Sequence, residues 1–204
     1  MDRFLPIVDN EWYHVYNRGN DRRTLFHTSA DYAAFAEKLV QGLARYRVSR
    51  IASVLMPNHF HLVLLQHPGG ELPHLMNSIE TSFAKRFNLL HHHKGHVFGS
   101  RYRCAHVPTE ESLIDLVCYV HMNPVRAGLV RHPKDWKHSD FSEVMKDGIQ
   151  ARDPGRANGY FLVSSEAYKT QVEEAITNLR SVRLSSKHRQ GGPSSGLTLR
   201  GRVP

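Results

Sequence analysis

The order of apolar patterns along the chain predicts an α+β fold: a ferredoxin-like β-α-β-β-α-β antiparallel sheet carrying one further helix. Three observations lead there. Residues 50–56 (RIASVLM) and 59–66 (HFHLVLLQ) are strand-like runs separated only by Pro57-Asn58, which makes them an antiparallel hairpin. A segment with helical spacing of apolar residues lies on each side of that hairpin. A shorter aromatic or β-branched run opens the series and another closes it.

Taken in order, residues 12–16 (WYHVY) read as the first strand and the polar NRGNDR that follows as a loop. Thr28 or Ser29 can cap a helix in which Tyr32, Phe35, Ala36, Leu39, Val40 and Leu43 recur, ending near Tyr46. After the hairpin, residues 72–90 carry Leu75, Ile79, Phe83 and Phe87 four apart, a long amphipathic helix ended by a His-rich turn. Residues 99–107 (GSRYRCAHV) alternate as a fourth strand, and Thr109 opens a helix that runs to about Asn123. Its end is expected there because Pro124 disfavours α conformation in the residue before it. The NPVRAG stretch is then a turn into a short further helical piece, with Gly128 as its stop.

Beyond Trp136 the pattern thins, recovering as a helix over residues 165–182. The organisation expected is a domain over 1–145, a helical extension over 146–184 and a flexible basic tail over 185–204. The chain has 204 residues, with 40% hydrophobic and 23% charged, enough apolar side chain for a real core. No apolar run approaches the roughly twenty residues of a membrane span, and no signal-peptide h-region opens the chain, which points to a soluble cytoplasmic protein. Cys104 and Cys118 are too few for a disulfide scaffold and read as small buried hydrophobes in a reducing compartment. The 27 Lys plus Arg against 19 Asp plus Glu leave a formal charge of +8, which favours a polyanionic partner.

The sharpest local feature is Met56-Pro57-Asn58-His59-Phe60-His61. On a strand the side-chain period is two, so His59 and His61 leave one face while Phe60 leaves the other. Two imidazoles converging at the mouth of a hairpin suit a divalent metal, although a half-exposed polar strand face explains them equally well. In the helix that follows, Leu113, Leu116, Val117 and Val120 form an apolar stripe. Tyr119 and Asn123 sit together on its flank, only about 40° apart around the axis. His121 lies about 200° from Tyr119 and faces elsewhere. On the helical wheel alone, Tyr119 reads first as a core-edge residue and Asn123 as a helix terminator before Pro124.

MPNHFHLVL, then LVCYVHMNPVRAGLV some sixty residues later, with YNRGNDRRTLF near the start, resembles the REP-associated tyrosine transposases. These belong to the single-tyrosine HUH transposase superfamily. The resemblance spans roughly residues 12–130. It implies that His59 and His61 are metal ligands, Asn123 the third protein ligand and Tyr119 the nucleophile. It also implies a Mg²⁺- or Mn²⁺-dependent single-stranded DNA endonuclease and strand transferase, forming a 5′-phosphotyrosine on hairpin DNA of repetitive extragenic palindromes. Such a protein would work at the bacterial nucleoid, as monomer or homodimer. Two readings from other classes stand beside it: a non-catalytic nucleic-acid-binding module on the same scaffold, and a metal-dependent nuclease without a covalent intermediate.

For the DNA, no Asp or Glu occurs between Glu37 and Glu71 or between Glu80 and Glu110, so the catalytic elements sit in a positive field. Arg18, Arg22 and Arg23 line the first loop, Lys85 and Arg86 lie on the second helix, and Arg101 and Arg103 should share one face of the fourth strand. Trp12, Tyr13, Tyr16 and Tyr102 are expected as core or rim rather than as stacking platforms for bases. The His91-His92-His93 run reads as a solvated loop. Arg183, Lys187, Arg189, Arg200 and Arg202 make the acid-free end of the chain a candidate for non-specific phosphate contacts.

Overall fold

Alternating burial along the first strand sets the layers. In β1 (Trp12–Arg18), Tyr13, Val15 and Asn17 are buried toward one side, while His14 and Tyr16 are half-buried toward the other. The computed structural model describes residues 6–151 and 160–190. It contains β1, α1 (Ser29–Arg45), β2 (Val48–Met56), β3 (His59–Gln66), α2 (Leu72–Leu90), β4 (Arg103–Val107) and α3 (Glu110–Arg126). There follow α4 (Phe141–Asp147), β5 (Ile149–Ala151), β6 (Tyr160–Val163) and α5 (Ser165–Gln190). The main sheet has the order β2-β3-β1-β4, antiparallel throughout, which is the expected ferredoxin-like arrangement.

The sheet is covered on both faces. Tyr13, Val15, Phe60, Leu62 and Leu64 pack under Phe35 and Leu39 of α1 and Leu75, Ile79 and Phe83 of α2. On the reverse face Val54, Val63 and Val107 meet Leu113, Val117 and Val120 of α3, joined by Phe141 of α4 and Tyr168, Val172 and Ile176 of α5. The expected extension thus shares one core with the sheet. At about 25 cal/mol per Å² of apolar surface, each such fully buried side chain contributes about 1.5–3 kcal/mol. The caps follow the sequence: Thr28 and Asp31 form a capping box on α1, and Thr109 Oγ1 accepts from Ser112 N at 3.1 Å to start α3.

Three expectations needed correction. The third helix does not stop at Asn123 but runs through Pro124 to Arg126. Pro124 has no N–H for the Val120 carbonyl, and the Asn123 side chain supplies a substitute, its Nδ2 donating to Val120 O at 3.4 Å and Tyr119 O at 2.9 Å. The helix then closes as a Schellman motif, with Gly128 at φ 75° and Leu129 N donating to Pro124 O at 3.0 Å. The fourth strand begins at Arg103, not Gly99, because residues 98–100 bond back to the β1 end. Gly99 N donates to Arg18 O, and Ser100 O accepts from Asn17 Nδ2. Finally, α5 continues to Gln190, past the expected boundary at 182. Residues 191–204, the rest of the expected basic tail, lie outside the described residues, and α4 and the β5–β6 pair had no sequence signal.

Candidate active site

The two-residue Pro57-Asn58 turn is anchored from outside the hairpin. Pro57 O accepts Leu25 N at 2.7 Å and Phe26 N at 3.1 Å, and Asn58 O accepts Gly19 N at 2.9 Å. Gly19 is required there, since a Cβ would stand 2.3 Å from Arg23 O. On this clamped turn His59 and His61 leave the sheet on the face that α3 covers, their ring centroids 5.2 Å apart. Pairing of β1 with β3 sets Tyr16 opposite His61 and His14 opposite Val63. Tyr16 stacks on His61 at 5.6 Å, and His14 Nε2 meets His61 Nδ1 at 2.9 Å.

The phenol arrives from α3. The Tyr119 ring stands edge-on to His61 with centroids 5.7 Å apart and to His14 at 6.4 Å. The Arg126 guanidinium lies 5.1 Å from the Tyr119 centroid, a cation–π contact two turns along the same helix. Asn123 is buried, 9% exposed, one turn from Tyr119. Because its Nδ2 is spent on helix carbonyls, Oδ1 is the atom that remains as acceptor. His121, in contrast, is fully buried, its Nδ1 2.6 Å from Tyr168 Oη and its Nε2 2.8 Å from Asp140 Oδ1. It ties α3 to α5 and α4, facing away as its helical position required.

Burial governs the electrostatics. It pushes His61 down to about 3, helped by the positive charge that His14, His59 and Arg18 would bring. It pushes His14 and His59 down to about 4. All three rings are therefore neutral at pH 7 and present lone pairs. His59 Nδ1 lies 2.7 Å from Asn58 Oδ1 and so acts as the donor there, leaving Nε2 as its acceptor. Among the described residues no group of three His, Cys, Asp or Glu is arranged to hold a metal ion. A three-residue cation site on this face therefore needs an amide such as Asn123 beside the imidazoles.

The basic residues divide between the two faces. Arg18 and Arg103 are exposed at the imidazole end, Arg103 pairing with Tyr16 across the ladder. Arg101 precedes the strand rather than sharing its face with Arg103, and it lines a cavity beside α2. Lys85 and Arg86 are exposed on α2. Arg22 is exposed, whereas Arg23 is half-buried and bonds His93. The His run is more fixed than expected, because His91 Nε2 also lies 3.1 Å from the buried Asp31 carboxylate. Tyr13 and Tyr102 are core residues, Trp12 and Tyr16 half-buried. Cys118 is buried and Cys104 half-buried, both free, with burial pushing each thiol up to about 11.

Two site residues escaped the sequence. His14 alternates with Trp12 and Tyr16 on the correct face, but only the β1–β3 register brings it to His61. Arg126 is seven residues from Tyr119 and on the same helical face, a relation hidden by ending the helix before Pro124.

The family model described as IS200-like transposases matches residues 7–123, more than half the chain. No curated protein matches. Among solved structures, the chain is similar to a REP-associated tyrosine transposase bound to a REP hairpin. That match has 16% identity and a TM-score of 0.63, covering 80% of this chain and 98% of that one. A protein of Deinococcus radiodurans R1 assigned as a transposase aligns at 17% identity and a TM-score of 0.41, covering 59% of this chain and 95% of its own.

Proposed function

The chain belongs to the IS200-like transposase family, and on that footing we propose that it is a metal-dependent, tyrosine-using endonuclease and strand transferase of single-stranded DNA, acting on hairpins of REP type. The observation that carries the reading is the Tyr119 ring 5.7 Å from His61, on a surface where three neutral imidazoles converge. The hairpin substrate is proposed from the fold shared with the hairpin-bound transposase.

The donor set fits Mg²⁺ or Mn²⁺. Nε2 of His59 and His61 and Oδ1 of Asn123 are mixed N and O donors without thiolate, which suits a hard, open site better than structural zinc. When bound, the ion offsets the negative charge of the scissile phosphate. His14 holds the Nδ1 proton of His61, which turns the other nitrogen toward the site. Tyr119 Oη attacks phosphorus, the P–O3′ bond breaks, and the chain carries a 5′-phosphotyrosyl link while the 3′-oxygen leaves as a hydroxyl. Arg126, over the ring face, holds the orientation of the phenol through a cation–π contact. Because the ester energy is kept in the tyrosyl link, a 3′-hydroxyl can reverse the step and rejoin the strand.

The test is to incubate the purified protein with end-labelled hairpin oligonucleotides bearing single-stranded flanks, with Mn²⁺, and denature. A labelled band shifted by the mass of the protein is expected. Cleavage without that band would mean hydrolysis and remove Tyr119 from the chemistry; binding without cleavage would leave a non-catalytic module.

A further inference from the structure

Three side chains of α3 share one stripe. Relative to Tyr119, Asn123 lies about 40° around the helix axis and Arg126 about 20° the other way. The alignment exists because the helix runs through Pro124, the Asn123 amide taking over the Val120 carbonyl. Arg126 is exposed, and its Cζ stands 5.1 Å from the centroid of a Tyr119 ring that is itself 36% exposed. The edge of that ring meets His61, so the guanidinium covers a face beside the imidazoles.

The electrostatics of the reaction call for a group at that place. Burial holds His14, His59 and His61 neutral, so the rings supply no formal charge of their own. Attack by the phenol piles negative charge onto the non-bridging oxygens of the phosphodiester, where fixed donors act most strongly. A phosphorus poised for attack stands about 3–3.5 Å from the phenolic oxygen. It approaches bent from the C–O axis, and Arg126 lies over one ring face. The planar guanidinium fork matches two phosphate oxygens at once and keeps its proton at every working pH.

We propose that Arg126 is a second catalytic residue, its guanidinium donating two hydrogen bonds to the non-bridging oxygens of the scissile phosphate and holding that phosphate beside the Tyr119 hydroxyl. The bonds that change are those of the transfer itself: Oη–P forms, P–O3′ breaks, and Arg126 gives up no proton. A last-turn arginine also suits the helix dipole, but that role is indifferent to any one phosphate.

This inference rests on the strand-transfer reading above, and its binding arm needs no cleavage. Hairpin oligonucleotides with a single uncharged methylphosphonate, moved link by link across the cleavage step, are titrated by gel shift in EDTA. Wild type should bind about tenfold more weakly when the scissile link is the neutral one, the weight of one charge-assisted contact. Arg126→Gln should show no loss at that link and keep the losses at the others. With Mn²⁺ and the ordinary hairpin its rate of adduct formation should fall about 100-fold, as when one oxyanion donor is removed. Arg126→Lys keeps the charge without the fork; it should fall about tenfold and feel the neutral link less than wild type does. It carries the same comparison if Arg126→Gln melts early. Variants that feel every neutral link as wild type does, a link sensed through Arg126 other than the cleaved one, or adduct formed at the wild-type rate would each overturn the proposal. If wild type itself forms no adduct, the transferase reading fails alone, and a link sensed through Arg126 still shows the contact.

Discussion

Tyr119 is 36% exposed and rests against His61 and Arg126, so Tyr119→Phe removes one hydroxyl and leaves the packing in place. The expected outcome is complete loss of the denaturation-resistant DNA adduct with unchanged hairpin affinity in a gel-shift titration. His14→Ala leaves His61 free to turn; Mn²⁺ affinity measured by titration calorimetry should drop roughly 10- to 100-fold, the usual cost of losing a partner that orients a ligand. Equal affinity would confine His14 to packing. At this scale the sequence was legible wherever one element sufficed: the shared face of His59 and His61 follows from strand alternation, and the nearness of Tyr119 to Asn123 from the helical wheel. His14 was not, because its role depends on which strand lies beside which.

Among the elements, α3 carries the phenol and is held from behind by the His121–Asp140–Tyr168 network. Burial alone would raise Asp140, but the hydrogen bond from His121, that ring's charge and the Arg50 guanidinium outweigh it and hold the carboxyl below its ordinary range. Tyr168→Phe strips the 2.6 Å partner from a fully buried imidazole, and a loss of about 1–3 kcal/mol in urea unfolding is expected, without loss of a folded state. Gly19→Ala attacks the other support. The added methyl cannot fit beside Arg23 O, so the β2–β3 turn must shift, and the adduct yield should fall more than the melting temperature. The hairpin, α1 and α2 were all legible from periodicity and caps. The true end of α3 was not, because the rule against helix before proline ignores a side chain able to take over the orphaned carbonyl.

For the whole molecule, pH and salt are the levers. His61, His14 and His59 hold protons in the unfolded chain below their ordinary 6.5, but in the folded chain only near 3 to 4. Between those values the unfolded state binds more protons, so stability rises with pH from about 4 to 6.5 and is lost as pH falls through that window. Glu80 runs the opposite way, its contribution fading as pH rises from 4.5 toward 7. Denaturation in EDTA at stepped pH should therefore show a steeper acid loss for wild type than for His61→Gln. The charge of +8 predicts hairpin binding that weakens steeply with added salt, readable as a linear fall of log affinity against log salt. No helix among the described residues is long and apolar enough to cross a membrane.

By itself the sequence determined the sheet order, the paired imidazoles, the helix that bears the phenol and the family resemblance. Each of these rests on periodicity within one element or on the order of elements along the chain. Only the tertiary structure decided that His14 meets His61, that Arg126 covers Tyr119 and that Arg101 faces Glu80 rather than Arg103. Those contacts depend on strand register, on a helix running through a proline and on a loop bonding back to β1. They join residues up to 83 positions apart, from Asn17 to Ser100, and local propensity carries no information over that distance.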